Sequence, residues 1–273
     1  MSLSDGESNY KVLFGLSADT NQYEYHNHKH FLSVLSEELD SFIANPRSRS
    51  QYIIFTGVNE DIFRRHFVDP DDGLTDFETY SIPDWLILVK MKSRTHAFTH
   101  RSFGDLVHGK LLDMNIKALG LVPFGSAHIQ GKERIKRADE IYQPRRLPKR
   151  RTKHWPSFVV EVGYSDAQRK LQGDVDWWMN ESSGDVKSVV TIATDRTCKE
   201  ITICQRNKMG EIYRNVLSQD GERDVRASNQ DPLVIAFDDL FLRRPSGIEK
   251  DIIIPVDELE DFAEDIWEIE SEV

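Results

Sequence analysis

The feature that most constrains the fold is the apolar run Phe158-Val159-Val160, which is followed at once by Glu161. An uninterrupted run of aromatic and β-branched residues predicts a strand that is buried on both faces, in the centre of a sheet. An acid at the end of such a run needs a cation, hydrogen bonds or a proton, because burial removes its water. The run therefore indicates a functional site as well as a fold.

The segments around this strand predict a mixed α/β fold. Apolar residues at helical spacing predict a helix from Thr95 to Ala118, and a second helix after Gly163 that has Ser165 as its N-cap. The strand-like runs of this region cover residues 119–129, 135–142, 157–162, 186–194 and 200–205. The order helix, strands, helix, two strands is typical of a mixed sheet flanked by helices.

Five segments are predicted along the chain. They are a flexible lead (1–22), an N-terminal helix and strands packed on the core (23–91), the central core (92–208), C-terminal strands (209–248) and an acidic amphipathic tail (249–273). The N-terminal helix is expected over residues 28–44. The tail carries 11 acidic residues and one lysine, with apolar residues at helical spacing, which favours a helix docked on the body. Alternatively, the tail covers the basic middle of its own chain or mimics nucleic acid.

Length and cysteine content set the expected compartment. A chain of 273 residues can bury a core without disulfides. Cys198 and Cys204 lack a CxxC or Cys/His ligand spacing, which favours a reducing environment. The start has no signal-peptide pattern, and the chain has no run of 18 apolar residues. We therefore expect an intracellular protein of the nucleus or cytoplasm that does not enter a membrane.

Charge is unevenly distributed along the chain. The net charge is −11, yet residues 92–208 hold 22 basic and 13 acidic residues, so the remainder holds 13 basic and 33 acidic ones. Six cations fall within residues 144–153, and they are Arg145, Arg146, Lys149, Arg150, Arg151 and Lys153. Such a run can bind the phosphates of DNA or RNA, or serve as a nuclear import signal. The plain alternative is a solvated loop between two strands.

A second acid, Asp139, lies in the strand-like run that precedes this basic loop. Two carboxylates delivered to one edge of a sheet suit a hard divalent cation such as Mg²⁺ or Mn²⁺. Asp139 and Glu161 are therefore the predicted metal ligands, and the basic loop is expected to lie beside them.

Several segments carry a family resemblance. They are residues 90–96, 125–129, 138–144 and 155–165, continuing through Leu171, Asp174 and Trp177-Trp178 to residues 184–187. These segments resemble the PD-(D/E)XK nuclease superfamily, and within it a group of fungal restriction-endonuclease-like proteins. The resemblance covers somewhat under half of the chain. It implies a restriction-endonuclease-like central mixed sheet flanked by helices, here with N-terminal and acidic C-terminal additions.

The resemblance also implies roles for individual residues. In active relatives the motif aspartate and glutamate hold Mg²⁺, and a lysine two residues after the glutamate orients the attacking water. Asp139 and Glu161 take the first two roles, but the lysine position is Gly163. Ala138 replaces the motif proline, and Ala97 stands where relatives often carry an acid after a histidine. Loss of a positioned acid or base commonly costs on the order of 10² to 10⁴ in rate.

Some members of the superfamily carry the lysine on the following helix, where this chain has Lys170, with Arg169 as a second candidate. Lys170 is thus the predicted third catalytic residue. Alternatively, Lys170 and Asp174 form an ordinary ion pair on the helix surface, worth a few tenths of a kcal/mol. Asp139 and Glu161 could equally be residual carboxylates that bond neighbouring backbone groups.

Histidines at i, i+4 spacing also occur, at His96 and His100, but no glutamate lies between them in an HExxH pattern. We do not expect them to bind a metal. The sequence thus predicts a metal-dependent nuclease, or a weakly active or inactive descendant of one. The alternative is a non-catalytic module that binds nucleic acid through the basic middle, or a protein through the acidic C-terminal helix.

Overall fold

The structure is a computed structural model that describes residues 10–45, 48–68, 77–116, 120–123, 127–221 and 224–271. Backbone contacts divide the chain into two compact units. The first contains Met1–Ser93 and His128–Arg137, and the second contains Arg94–Ala127 and Ala138–Val273. Both units combine helices with a mixed sheet, so the predicted α/β fold class is confirmed.

The elements follow in chain order. They are β1 (Asn21–Glu24), α1 (His28–Ala44), β2 (Tyr52–Thr56), α2 (Glu60–Phe63, continued by a π-helical turn, Arg64–Val68), β3 (Thr79–Ser81), β4 (Leu86–Lys90), α3 (Arg94–Asp113), β5 (Leu121–Pro123), β6 (Ile129–Gln130), β7 (Arg134–Lys136), β8 (Glu140–Pro144), β9 (Phe158–Tyr164), α4 (Gln168–Glu181), β10 (Ser188–Thr194), β11 (Glu200–Asn207), β12 (Gly210–Ser218), β13 (Arg226–Ala227), β14 (Leu233–Ile235), α5 (Phe237–Phe241), β15 (Ile252–Ile254) and α6 (Val256–Ser271).

The first unit is built on a six-stranded sheet of order β1-β2-β4-β3-β7-β6. Its long helix α1 has the bounds that the sequence predicts, because Asn27 caps its start by accepting a hydrogen bond from the His30 amide, 3.0 Å away. Of the predicted flexible lead, residues 1–9 lie outside the described residues. Asn21 and Gln22 belong to β1, which pairs in parallel with β2.

The second unit is built on a seven-stranded sheet of order β13-β12-β11-β10-β9-β8-β5. All seven residues of β9 are buried, as the apolar run predicts. Alternate residues Phe158, Val160 and Val162 belong to the same hydrophobic cluster as Phe103 of α3. The other face of β9 meets α4, where Trp178 bonds Glu161. Helices α3 and α4 therefore cover opposite faces of the sheet.

Three local predictions are wrong. The helix expected from Thr95 to Ala118 ends at Asp113, just before Asn115, whose φ of 55° is left-handed and does not continue a helix. The single strand expected over residues 135–142 is two strands, β7 and β8, which belong to different sheets. The apolar pattern cannot report this change of sheet, because both pieces alternate in the same way. Ser165 does not cap α4, which begins at Gln168 after a 3₁₀ turn. Its hydroxyl instead donates to Asp195, 2.7 Å away, in the turn after β10.

The acidic C-terminal helix α6 docks within the second unit, as expected. Its buried residues include Leu259, Phe262 and Ile266, and the Phe262 ring lies 6.2 Å from that of Phe103 on α3. Lys110 of α3 forms an ion pair with Glu258. Strand β15, which precedes α6, is not predicted by the sequence and pairs with β14. None of the helices in the described part of the chain is long and apolar enough to cross a bilayer.

Candidate functional site

The two predicted acids come from neighbouring strands of the second unit. β8 and β9 are antiparallel, with Glu140 opposite Val160 and Ile141 opposite Val159. Continuing that register by one residue sets Asp139 opposite Glu161. Directly opposed residues of an antiparallel pair project from the same face of a sheet. The fold therefore brings the two acids to adjacent strands, although they are 22 positions apart in the sequence. Their side chains bond different helices, Asp139 to His96 of α3 and Glu161 to Trp178 of α4.

Asp139 is buried, with 5% of its surface exposed, and its carboxylate is held at both oxygens. Its Oδ1 lies 2.9 Å from Nε2 of His96, near the start of α3. The amide of Val162 on β9 donates to Oδ2 at 2.8 Å. A carboxylate that accepts a backbone amide bonds the strand beside it, which is the role that the sequence left open as an alternative to catalysis.

Glu161 is even less accessible, with 1% of its surface exposed. The indole Nε1–H of Trp178 on α4 donates to its Oε1 at 2.7 Å. Trp178 is completely buried and packs edge-on against Trp177, with ring centroids 4.8 Å apart. Helix α4 thus closes over the glutamate, and a tryptophan donor supplies the hydrogen bond that burial requires.

Lys170 and Asp174 lie on the buried side of the same helix. Lys170 Nζ is 2.5 Å from Asp174 Oδ1, and the two residues are only 2% and 6% exposed. The expectation of an ordinary helix-surface ion pair is therefore wrong. Arg169, the second candidate for the displaced lysine, is exposed. The helical repeat places Lys170 and Asp174 on the stripe that also carries Trp178, so Lys170 lies on the side of α4 that covers Glu161.

Gly163, where the resemblance would place a lysine, is closely packed on its side-chain face. It shares a face of β9 with Glu161, two residues earlier. A Cβ atom at Gly163 would lie 3.2 Å from both δ-carbons of Leu171 on α4. A lysine at this position would therefore require the Leu171 side chain to shift.

The sequence did not identify His96 and Trp178 as partners of the two acids. A signal for the histidine exists, because His96 and His100 lie one helical turn apart and face the consecutive acids Asp139 and Glu140. His100 Nδ1 lies 3.3 Å from Glu140 Oε1, which repeats the contact between His96 and Asp139. Trp178 has no comparable signal, because a tryptophan on an apolar helix face is ordinary core.

A divalent cation suits these residues in chemistry but not in arrangement. Carboxylate oxygens are good ligands for Mg²⁺ and Mn²⁺. However, at least three of the four oxygens of Asp139 and Glu161 already accept hydrogen bonds. Within the described ranges, no group of three His, Cys, Asp or Glu side chains is placed to hold a metal ion. A metal would have to replace hydrogen bonds in a nearly inaccessible site.

The basic loop does not lie beside the two acids. It joins the end of β8 to the start of β9, whereas Asp139 precedes β8 at the opposite end of the hairpin. The six residues from Asp139 to Arg145 along an extended strand span roughly 20 Å. The physical reason for the error is that neighbours in sequence are carried apart by the length of the strand between them.

The cations of this loop differ in their surroundings. Arg145, Arg146, Lys149, Arg150 and Lys153 are exposed. Arg151 is instead fastened to the protein. Its NH1 lies 2.5 Å from Asp185 Oδ2, and its NH2 donates to the carbonyls of Trp155, Pro156 and Asp185 at 2.8, 3.2 and 3.1 Å. Arg151 therefore anchors the loop that presents the other five.

No protein-family model and no curated protein matches this chain. A crystal structure from Anabaena variabilis, described as a nuclease candidate of the DUF820 family, is similar in backbone. It is 10% identical, with a TM-score of 0.40, over 68% of this chain and 90% of that one. A likeness this distant leaves the function to be inferred from the site itself.

Proposed function

We propose that this chain is a descendant of the metal-dependent phosphodiesterases that its motifs resemble, with a restriction-endonuclease-like core in which cleavage is absent or slow. Asp139 and Glu161 then act as structural carboxylates that join β8, β9, α3 and α4. The proposal rests above all on one observation: both acids are buried, and each is bonded by a donor from another element. A nuclease needs these oxygens for a metal and a phosphodiester.

The position of the missing lysine supports the same proposal. A Cβ atom at Gly163 would lie 3.2 Å from Leu171, so the motif lysine would fit only if the Leu171 side chain shifted. Lys170 could stand in for it only by leaving Asp174, its partner at 2.5 Å. Both routes to an activated water thus require buried contacts to be broken, which costs free energy.

The cross-strand placement of Asp139 and Glu161 favours a second candidate function. In it the pair holds Mg²⁺ or Mn²⁺, Lys170 replaces the motif lysine, and the protein cleaves DNA or RNA. A bound ion of this kind would polarise a phosphodiester oxygen and lower the pKa of its bound water. For the ion to bind, the hydrogen bonds that His96, Trp178 and the Val162 amide make to the two carboxylates would have to break.

A cleavage assay separates the two functions. Plasmid and single-stranded substrates are incubated with Mn²⁺ and either the wild type or Glu161→Gln. Glutamine retains an oxygen that can accept from Trp178 but removes the charge that a cation needs. We expect no cleavage, or an equal trace in both preparations. Cleavage by the wild type that falls by about 10²-fold or more in Glu161→Gln would overturn the proposal.

Thermal unfolding with millimolar Mg²⁺ or Mn²⁺ provides an independent readout. A ligand that binds only the folded state raises the thermal midpoint. We expect no change in the midpoint of the wild type. A rise in the wild type that disappears in Asp139→Asn would support the metal-binding alternative, even if no substrate were cleaved.

The charged surfaces support a binding role for such a protein. The exposed cations Arg145, Arg146, Lys149, Arg150 and Lys153, on the loop that Arg151 anchors, are suited to the phosphates of DNA or RNA. Helix α6 exposes Asp257, Asp261, Glu264, Asp265 and Glu268, which are suited to a basic protein partner. A non-catalytic binding module is therefore compatible with the same core.

A further inference from the structure

Two open depressions on the second unit meet at Arg243. One has a volume of about 400 Å³ and lies between the basic loop and the residues after α5. The other, of about 720 Å³, lies between the start of that loop and the end of α5. Arg243 lines both, and we call the two adjoining depressions together the arginine groove. Its cationic lining consists of Arg145, Arg146, Arg151, Lys187, Arg243 and Arg244.

The two walls of the groove come from distant parts of the chain and are fastened to each other. The Ser157 hydroxyl, at the start of β9, donates to the carbonyl of Leu240 on α5 at 2.7 Å, across 83 positions of sequence. The Ser157 amide donates to the Tyr142 carbonyl at 2.9 Å. Leu242 then ends α5 in a left-handed conformation, with φ of 56°, and the chain continues as Arg243 and Arg244.

Two of the arginines are held in place by the protein. Arg151 is anchored by Asp185 and by main-chain carbonyls. Arg243 is bonded by both oxygens of Glu249, each at 2.6 Å, and its guanidinium lies over the Phe237 and Phe241 rings at 4.9 and 5.6 Å. These contacts fix the shape of the groove before any ligand arrives, which lowers the entropic cost of binding.

Other cations in the groove are uncompensated. Arg145, Arg146 and Arg244 are exposed, and none has an ion-pair partner among residues 10–45, 48–68, 77–116, 120–123, 127–221 and 224–271. Asp238 is the sole acid among the described lining residues. Several like charges near one another repel, and a polyanion relieves that repulsion while its counterions are released.

The lining also indicates which part of a ligand is recognised. Its aromatic residue is Phe241, which is 4% exposed and so offers no platform on which a base could stack. Guanidinium groups, in contrast, match the geometry of phosphate oxygens. Two depressions in series accommodate more than one phosphate. We propose that the arginine groove binds a linear chain of phosphates through its phosphate oxygens and does not read bases.

This proposal does not depend on whether Asp139 and Glu161 hold a metal. The ligand could be the backbone of a nucleic acid or inorganic polyphosphate, which share the same chemistry. It requires Arg243 and Arg244, which lie far from the basic loop in the sequence, and so differs from binding by that loop alone.

The test uses fluorescence anisotropy with the full chain and a labelled single-stranded oligonucleotide over a series of salt concentrations. Competitors are the same oligonucleotide without label, an abasic oligonucleotide of equal length, and inorganic polyphosphate. The variants are Arg146→Ala from one wall and Arg244→Ala from the other. The control is Arg226→Ala, an exposed arginine of β13 at the opposite end of the sheet.

We expect both groove variants to weaken binding by roughly tenfold, as for the loss of one charge-assisted hydrogen bond, and to reduce the slope of log K against log salt by about 1. Arg226→Ala should bind as the wild type does. The abasic competitor should match the ordinary one, and polyphosphate should also compete. Whichever of nucleic acid and polyphosphate competes better per phosphate identifies the natural source.

Four outcomes would contradict the proposal that the arginine groove binds a chain of phosphates. Binding that is unaffected by Arg244→Ala would assign recognition to the basic loop alone and would leave the binding module proposed above intact. Equal losses in Arg244→Ala and Arg226→Ala would show attraction to overall charge. Failure of the abasic chain and polyphosphate to compete would show that bases are read. Absence of binding by the wild type at low salt would show that the arginine groove does not bind phosphate chains.

Discussion

The carboxylate pair and the arginine groove lie at opposite ends of the β8–β9 hairpin, and they treat charge in opposite ways. Asp139 and Glu161 are buried, and each accepts hydrogen bonds from another element. Arg145, Arg146 and Arg244 are exposed and have no ion-pair partner in the described parts of the chain. At one end of the hairpin the carboxylates are hydrogen-bonded within the protein, while at the other end exposed arginines are available to a ligand.

This difference shows which charges are available to a ligand. A buried ion without partners is costly, so a carboxylate in the interior needs hydrogen-bond donors around it. His96, Trp178 and the Val162 amide are such donors. On the surface, water screens unpaired charge at little cost in free energy, so a cluster of arginines can stay unpaired and available to a ligand. Four measurements test this contrast.

The largest effect is expected for Asp139→Ala. The change leaves the His96 ring and the Val162 amide buried without their acceptor, so the free energy of unfolding should fall by about 3 to 5 kcal/mol. Unfolding in urea measures this loss of free energy. Asp139→Asn, which retains an oxygen for the Val162 amide, should lose less. A carboxylate kept for catalysis behaves differently, because its removal leaves stability unchanged or raised, and that result would contradict the structural role.

A smaller loss is expected for Gly163→Ala. The added methyl group lies 3.2 Å from Leu171 Cδ1 and Cδ2 in a packed core, so the free energy of unfolding should fall by about 1 to 3 kcal/mol. Gly173→Ala on α4 is the matched control, since a Cβ there meets no atom within 4 Å. It should be neutral or stabilising by about 0.5 to 1 kcal/mol. Equal effects of both substitutions would mean that Leu171 does not block the lysine position.

The neighbouring residues Arg151 and Arg150 sharpen the contrast within one loop. Arg151→Ala removes the anchor formed with Asp185 and three carbonyls, and should cost about 1 to 2 kcal/mol of unfolding free energy. Arg150→Ala removes the same charge from an exposed side chain and should stay within about 0.5 kcal/mol of the wild type. Equal losses would show that the loop is held in another way.

The smallest effect concerns pH and the clamp on Arg243. Hydrogen bonds from Arg243, partly opposed by burial, lower the pKa of Glu249 from 4.5 to about 2. A carboxyl group with a lowered folded-state pKa stabilises the fold above its unfolded-state pKa, and that contribution is lost as pH falls toward 2. Unfolding between pH 5 and pH 2 should therefore show a component that Glu249→Gln lacks. Identical pH profiles for the two proteins would contradict the clamp.

Local patterns were sufficient for much of the fold. The apolar spacing of α1 predicted both of its ends, and the run at β9 predicted a strand buried along its whole length. The helical spacing of apolar residues within the acidic tail predicted helix α6. These features depend on which face of a single element is buried, and periodicity along the sequence reports that directly. The prediction of a single strand over residues 135–142 was wrong because alternation along the sequence does not report which sheet a strand joins.

The candidate site shows the same division. The sequence was sufficient to indicate which acids to consider, since Asp139 and Glu161 stand in or beside strands, and to show that Gly163 stands where the resemblance implies a lysine. Three features became visible only in the folded chain: His96 and Trp178 bond the acids, Leu171 fills the space beside Gly163, and Arg243 and Arg244 lie with the basic loop in one groove. The physical reason is that these contacts join distant segments, Arg145 and Arg243 being 98 positions apart, and such pairings depend on the packing of whole elements, which no local pattern encodes.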